Sequence, residues 1–304
     1  MNYIGIDIGG TSIKLGLIRG FDIVVSHNVT TVNGSILSDT VAAVHALCDK
    51  ATIDLATVAG IGVTIPGPVS NNQVAVLANI QVERADIYEA LVEAFPTTPL
   101  VLLNDANAAA IGEVFSLTPR VKDAVMLTIG TGLGGGIISN HHVIEGAFGQ
   151  GGELGHVTIH SPYQFKCGCG KTDCAETILS ATGIRRLATS LKASSPTKVT
   201  SSSNVKQIFK YAKAGDAFAI QVVEEWAKYM ARLILQLAVI TNPSVVVFGG
   251  GVANAGAFLI EKVQQAYDRQ LAWPNDHKVV FQLAHLGNDA GMIGAVQALI
   301  QGAI

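Results

Sequence analysis

The same short pattern opens each half of this 304-residue chain: an apolar run, a glycine turn and a second apolar run. In the first half, Tyr3–Ile8 leads through Gly9-Gly10-Thr11 into Ile13–Ile18. In the second, Ala124–Ile129 leads through Gly130-Thr131-Gly132 into Gly136–Ser139. Two β-rich runs joined by a tight turn read as a hairpin. Each hairpin is followed by alternating strand and helix patterns, so the chain is predicted to be α/β, with two similar α/β domains flanking a cleft. Thr118-Pro119-Arg120 interrupts a helical pattern and marks the boundary near 116–122. The expected domains are 1–118 and 119–304, with the closing helix 289–302 packing back on the first.

The remaining pattern fills in around those hairpins. Ile23–Val29 extends the first into a third antiparallel strand. Helical periodicity covers 38–50, 87–95, 176–191, 205–214, 216–240, 257–269 and 290–301, with short strands at 58–64, 100–103, 245–248 and 279–283. Hydrophobic residues make up 49% of the chain and charged residues 14%, which excludes a disordered protein. A net charge of −3 argues against a nucleic-acid partner. No basic n-region or cleavage site precedes the first strand, so a cytoplasmic protein is expected. Leu233–Ile260 carries no charge, but its Asn242-Pro243 and Gly249-Gly250-Gly251 read as helix, turn and buried strand, not as a membrane span.

Glycine turns between strands bring backbone N–H groups close to a phosphate. In the first turn, Gly9 and Gly10 supply that approach, Thr11 adds a hydroxyl, Asp7 is placed to hold Mg²⁺ and Lys14 to face phosphates. Alone, Gly-Gly-Thr favours an ordinary hairpin turn with a surface aspartate. Gly130, Gly132 and Gly135 match the spacing of a dinucleotide fingerprint, but a strand follows where that fingerprint needs a helix. A second phosphate turn of Gly130, Thr131 and Gly132 fits better. Gly249, Gly250 and Gly251 follow a strand and precede a helix, a place for adenosine or a phosphate or for close packing. Gly170-Lys171-Thr172 resembles the end of a P-loop, but Phe165 stands where that motif needs glycine, so we read it as coincidence.

Asn104-Asp105 lies between a strand and a helix. Asn104 suits a helix cap. Asp105 is either a first-turn charge or a general base for a hydroxyl. Cys48 lies on an apolar helical face and reads as core. The other three cysteines, Cys167, Cys169 and Cys174, fall within eight residues of each other, with His156 upstream. They match a closed Cys₃His zinc site, structural because four protein ligands leave no open position. Glu153 and Glu176 flank that set, as sugar-hydroxyl acceptors or as solvated surface.

Together Asp7-Ile-Gly-Gly-Thr11, Asn104-Asp105-Ala-Asn, Gly130-Thr-Gly-Leu-Gly-Gly-Gly136, Glu153-Leu-Gly-His156 and the Cys-x-Cys run ending in Glu176 resemble the ROK family of sugar kinases and repressors. The resemblance implies an actin-like ATPase (hexokinase-like) fold, ATP with Mg²⁺, a structural Zn²⁺ and a homodimer. It implies Asp105 as catalytic base, with Gly67, Asn79, Asn104, Glu153, His156 and Glu176 contacting a hexose and His156 also binding zinc. Three places depart from the family pattern: Ile80-Gln81-Val82 after Asn79, Asp173 where glycine is frequent, and one extra residue between His156 and Cys167. The expected activity is ATP-dependent phosphorylation of a sugar hydroxyl, the 6-hydroxyl of glucose by default. N-acetylmannosamine, N-acetylglucosamine and β-glucosides are alternatives, decided by loops 30–36, 66–84 and 141–152. The other class in the family is a sugar-responsive regulator, which carries a helix-turn-helix before the first strand; this sequence opens on the strand itself.

Overall fold

The computed structural model describes residues 1–74, 80–82, 86–271 and 279–302. It opens with β1 (Asn2–Ile8), β2 (Ser12–Arg19), β3 (Asp22–Thr30), α1 (Ile36–Ala51) and β4 (Val58–Ile65). A small hairpin of β5 (Val69–Ser70) and β6 (Gln73–Val74) precedes α2 (Ile87–Ala94), β7 (Leu100–Asn104) and α3 (Asp105–Phe115). The pattern restarts with β8 (Ala124–Ile129), β9 (Leu133–Ser139) and β10 (His142–Val143). Then come α4 (Glu176–Leu179), α5 (Ala181–Ser190), α6 (Val205–Lys213), α7 (Ala217–Thr241), β11 (Val245–Gly249), α8 (Ala257–Gln270), β12 (Val280–Leu283) and α9 (Ala290–Gln301).

Two compact units result: Met1–Lys122, Gly136–Gly152 and Leu286–Ile304 form the first, Asp123–Gly135 and Glu153–His285 the second. The division is interleaved: Gly136–Gly152 and the closing segment Leu286–Ile304 both belong to the first unit. Glycine explains why Gly136–Gly152 seats there. A Cβ on Gly136 would lie 2.6 Å from Ala110 Cβ, and one on Gly149 would lie 2.5 Å from the Val69 carbonyl oxygen. Asn140 and His141 both have positive φ, the backbone that a two-residue turn between β9 and β10 requires.

In the first unit the sheet order is β3-β2-β1-β4-β7. β1, β2 and β3 pair antiparallel, while β1–β4 and β4–β7 pair parallel. Alternation sorts the two faces of β1. Ile4, Ile6 and Ile8 join a core with Val44 and Leu47 of α1 and Ile87 and Leu91 of α2. Gly5 faces the other way, toward α9, and a Cβ there would lie 2.7 Å from the Met292 carbonyl oxygen. Gly62 of β4 does the same, with Ala295 C at 2.5 Å. Glycine on this face brings the helix directly onto the sheet backbone. Glu113 of α3 is fully buried and accepts the N–H groups of Leu286 (2.8 Å) and Gly287 (3.2 Å), fixing the entry to α9.

The second sheet runs β10-β9-β8-β11-β12, with β11 parallel to both β8 and β12. α7 buries Trp226, Tyr229 and Met230 in the second unit. Its 25 residues end at Thr241, and the left-handed backbone of Asn242 closes the helix. The charge-free stretch 233–260 is therefore the end of α7, β11 and the start of α8, and among the described residues no helix is long and apolar enough to cross a membrane. The helix expected over 176–191 is broken at Ser180, which turns extended and caps α5 by accepting the Gly183 N–H at 3.1 Å.

Candidate active site and metal centre

The first glycine turn is tied at both ends. Gly9 N–H donates to Ser12 O at 3.0 Å, and Thr31 Oγ1 donates to Gly9 O at 2.6 Å. Gly10 and Thr11 are exposed at the tip. Asp7 precedes the turn, and its carboxylate accepts Thr64 Oγ1 at 2.9 Å and Lys14 Nζ at 3.3 Å. Asp7 and Lys14 are register partners across β1 and β2, so the lysine expected to face phosphates meets this carboxylate. The sequence reading missed Thr64. It is a fully buried hydroxyl in an otherwise apolar or glycine run, and such a group calls for a partner.

Asn104 and Asp105 are held by each other and by the start of α3. Asn104 Oδ1 accepts the N–H groups of Ala106 and Asn107, both at 3.0 Å. Asn104 Nδ2 donates to Gly67 O at 3.0 Å and to Asp105 Oδ1 at 3.1 Å. Asp105 Oδ1 also accepts the Ala106 N–H at 2.8 Å, while the residue stays exposed. Gly67 has φ 116°, a backbone suited to glycine, and that conformation presents its carbonyl to Asn104. A carboxylate at a helix start, aimed by its neighbours and open to solvent, can take a proton from a hydroxyl. Asn79 lies outside the described residues.

In the second unit, Gly130 N–H donates to Gly132 O at 3.0 Å, closing the turn. Ala181 N–H donates to Gly130 O at 2.8 Å and Thr182 Oγ1 to Thr131 O at 3.1 Å, fastening it to α5. A cavity of ≈ 830 Å³ opens beside it, lined by Gly130, Thr131, Phe209, Gly251, Val252 and Ala255, with Lys206, Lys210 and Lys213 among its walls. That size, an apolar lining and a few cations suit a nucleoside with phosphates. Of the three glycines at 249–251, Gly249 ends β11 and Gly251 lines the cavity. Gly250 has φ 80° and packs on the Ile129 backbone, where a Cβ would lie 2.6 Å from Ile129 O. Gly250 is thus in close packing, while Gly251 is open to the cavity.

His156, Cys167, Cys169 and Cys174 converge, with one ligand atom from each within 4.8 Å of all the others. His156 Nδ1 is 3.7 Å from Cys167 Sγ, and Cys169 Sγ is 3.6 Å from Cys174 Sγ. Zinc–sulfur bonds of about 2.3 Å put tetrahedral ligands roughly 3.8 Å apart, so the donor set fits zinc. A tight hairpin shapes it: Cys167 N–H donates to Lys171 O at 2.8 Å, and Gly170 takes φ 90°. Burial pushes the Cys174 thiol up to about 12, helped by the neighbouring Cys169 and Cys167. The Lys171 backbone N–H draws the exposed Cys169 thiol down. Metal binding must displace the Cys174 proton, so affinity falls as pH falls. Cys48 is buried in the first unit's core.

Glu153 is exposed, and no partner of its carboxylate is seen among the described residues. Glu176 differs. Its Oε2 accepts the Leu133 N–H at 3.1 Å, and its Oε1 lies 4.0 Å from Cys167 Sγ.

Two α/β units, each with a glycine-turn hairpin, define the actin-like ATPase fold in its hexokinase-like form. The chain belongs to the ROK family, whose model matches residues 3–302. It is 34% identical over 306 aligned residues to a glucokinase of Halalkalibacterium halodurans, covering 96% of this chain and 93% of that one. It is 35% identical to an N-acetylmannosamine kinase of Citrobacter koseri over 197 residues, 65% of this chain and 63% of that one. A crystal structure of a ROK family glucokinase from Streptomyces griseus, in complex with glucose and AMPPNP, superposes with a TM-score of 0.75 at 29% identity, covering 99% of this chain and 100% of that one.

Proposed function

We propose that this protein is an ATP-dependent hexose kinase that transfers the γ-phosphoryl group to a sugar hydroxyl, the 6-hydroxyl, with glucose as the sugar. The observation that carries this is Asp105: exposed, aimed by Asn104 and the start of α3, in a chain similar to a glucokinase and an N-acetylmannosamine kinase. Asp105 orients the hydroxyl and accepts its proton as the oxygen attacks phosphorus. Asn104, Gly67, Asn79, Glu153, His156 and Glu176 are the candidate sugar contacts. Glu153 suits that role because its carboxylate is exposed.

The candidate phosphate contacts are Gly9, Gly10, Thr11 and Lys14 in the first unit and Gly130, Thr131 and Gly132 in the second; the N–H groups of Gly9 and Gly130 are engaged within their turns and shape them. The cavity between Phe209 and Val252 takes the adenosine, with Gly251 in one wall and Gly249 and Gly250 behind it in the strand and turn. Asp7 would hold Mg²⁺, which when bound neutralises charge on the phosphate oxygens. His156, Cys167, Cys169 and Cys174 would hold a structural zinc ion. We further propose a cytoplasmic homodimer that uses neither nucleic acid nor membrane.

The test is ADP release with ATP and Mg²⁺ across glucose, N-acetylmannosamine, N-acetylglucosamine, mannose and a β-glucoside, with Asp105→Asn alongside. Turnover on glucose, falling by roughly 10²–10⁴ in the variant, is expected. Preference for N-acetylmannosamine, favoured by the Citrobacter koseri relative, would change the substrate and keep the chemistry. No turnover on any sugar would overturn the kinase reading.

A further inference from the structure

Glu176 links two parts of the second unit that the proposed reaction treats separately. On one side, its Oε2 accepts the Leu133 N–H at 3.1 Å, immediately after the turn Gly130–Gly132. Gly132 makes that approach possible, since a Cβ there would collide with Oε2. Gly155 is fitted to the same contact, its Cα facing Leu133 O and the Glu176 Cβ. On the other side, Oε1 reaches Cys167 Sγ, and Cys174 lies two residues earlier in the chain. The Leu133 side chain is buried, so few other acceptors are available to its N–H group.

We propose that Glu176 is a positioning residue for the nucleotide turn, and that through it an occupied metal centre raises the affinity for ATP. This rests on the reading of Gly130–Gly132 as a phosphate turn. A bound metal ion would fix Cys167, whose Sγ lies against Oε1, and Cys174, two residues before Glu176 in the chain. The carboxylate is then confined to the Leu133 N–H, and the turn keeps its shape before nucleotide arrives. Without the ion, the restraint on Oε1 is the 4.0 Å contact with the Cys167 thiol. The α5 anchors at Gly130 and Thr131 remain in either case, so the turn loosens without unfolding.

The test compares the zinc-loaded chain, the chelator-treated chain, Glu176→Ala and Glu176→Gln, each checked for fold by circular dichroism and for zinc content. Two readouts are taken: amide exchange of residues 130–135 without nucleotide, and calorimetric titration with Mg-AMPPNP. Glu176→Ala and chelation are each expected to speed Leu133 exchange about tenfold and to weaken Mg-AMPPNP binding about tenfold, the worth of one charge-assisted hydrogen bond. Chelating Glu176→Ala should weaken binding no further, because both changes act through one contact. Glu176→Gln, which keeps a carbonyl acceptor, should recover most of the loss. Unchanged Leu133 exchange, or losses from chelation and Glu176→Ala that add, would overturn the proposal. So would a weakened glucose affinity with nucleotide affinity intact. Zinc-loaded wild type that binds no Mg-AMPPNP would overturn the nucleotide reading itself, a result distinct from the others.

Discussion

Replacing Asp173 tests whether the metal loop depends on a residue that breaks a backbone preference. Asp173 has φ 58°, a region that favours glycine, and is only 3% exposed. Its carboxylate accepts Ser161 Oγ at 2.9 Å, Ser161 N–H at 3.2 Å and Gln164 Nε2 at 2.9 Å. Asp tolerates the left-handed region better than most residues, and here its side chain offsets the remaining strain. Asp173→Ala removes three hydrogen bonds to a charged group, two of them to the buried Ser161. At about 1.5 kcal/mol each for the buried pair, the loss is about 3 kcal/mol. Strain for alanine in this conformation adds about 1 kcal/mol. Asp173→Gly relieves that strain, so it should be about 1 kcal/mol more stable than the alanine variant and still well below wild type. Urea unfolding at fixed, saturating zinc measures both, because free metal otherwise shifts apparent stability. A glycine variant as stable as wild type would refute the reasoning: the carboxylate contacts would then contribute nothing, and the aspartate would be a tolerated substitution at a glycine position.

Two further outcomes follow from the packing and the caps. Asp216 caps α7, accepting the N–H groups of Lys198 (2.7 Å) and Ala219 (3.0 Å) and the hydroxyl of Thr197 (2.8 Å). The Lys198 N–H above all holds its carboxyl below the usual range. Its contribution is therefore present above about pH 4 and lost as pH falls through its folded value. Asp216→Ala should cost about 1 kcal/mol at pH 7. That gap should narrow as pH falls below about 4 in denaturation curves, and a gap that stays constant down through the acid transition would count against the cap. Gly62→Ala places a methyl 2.5 Å from Ala295 C, where only backbone could yield. It should cost about 1–3 kcal/mol by urea unfolding, and a neutral effect would mean that α9 shifts easily on the sheet.

Much of this was legible in the residues because the signals are local. The hairpins carry period-2 alternation around glycine turns, and Asn104 sits where a cap belongs. The Cys₃His set declares itself by residue type within one short stretch, and the extra residue before Cys167 did not prevent its convergence. What stayed hidden depends on partners far apart in sequence. Thr64 meets Asp7 across two strands, and the large cavity joins a turn near 130 to a helix near 209 and a turn near 251. Lys14 pairs with Asp7 because of strand register, which residue type does not reveal. The break at Ser180 went unread because a serine inside a helical pattern looks the same whether it is exposed on the helix or caps the next one. Asp173 read only as a departure from glycine, since its compensation lies in Ser161 and Gln164.

The interleaving of the two units has a consequence in time. The bare sheet face at Gly5 and Gly62 is covered by α9, and α9 follows the whole of Glu153–His285 along the chain. At ribosomal speeds that stretch takes on the order of ten seconds to emerge. Throughout that interval the first unit carries its strands without its last helix, exposing Ile18 and the glycine-lined backbone where Met292, Ile293 and Val296 will later pack. The second unit, whose segments lie within 123–285, is complete sooner. The half of the protein that is synthesised first is thus the last to be finished.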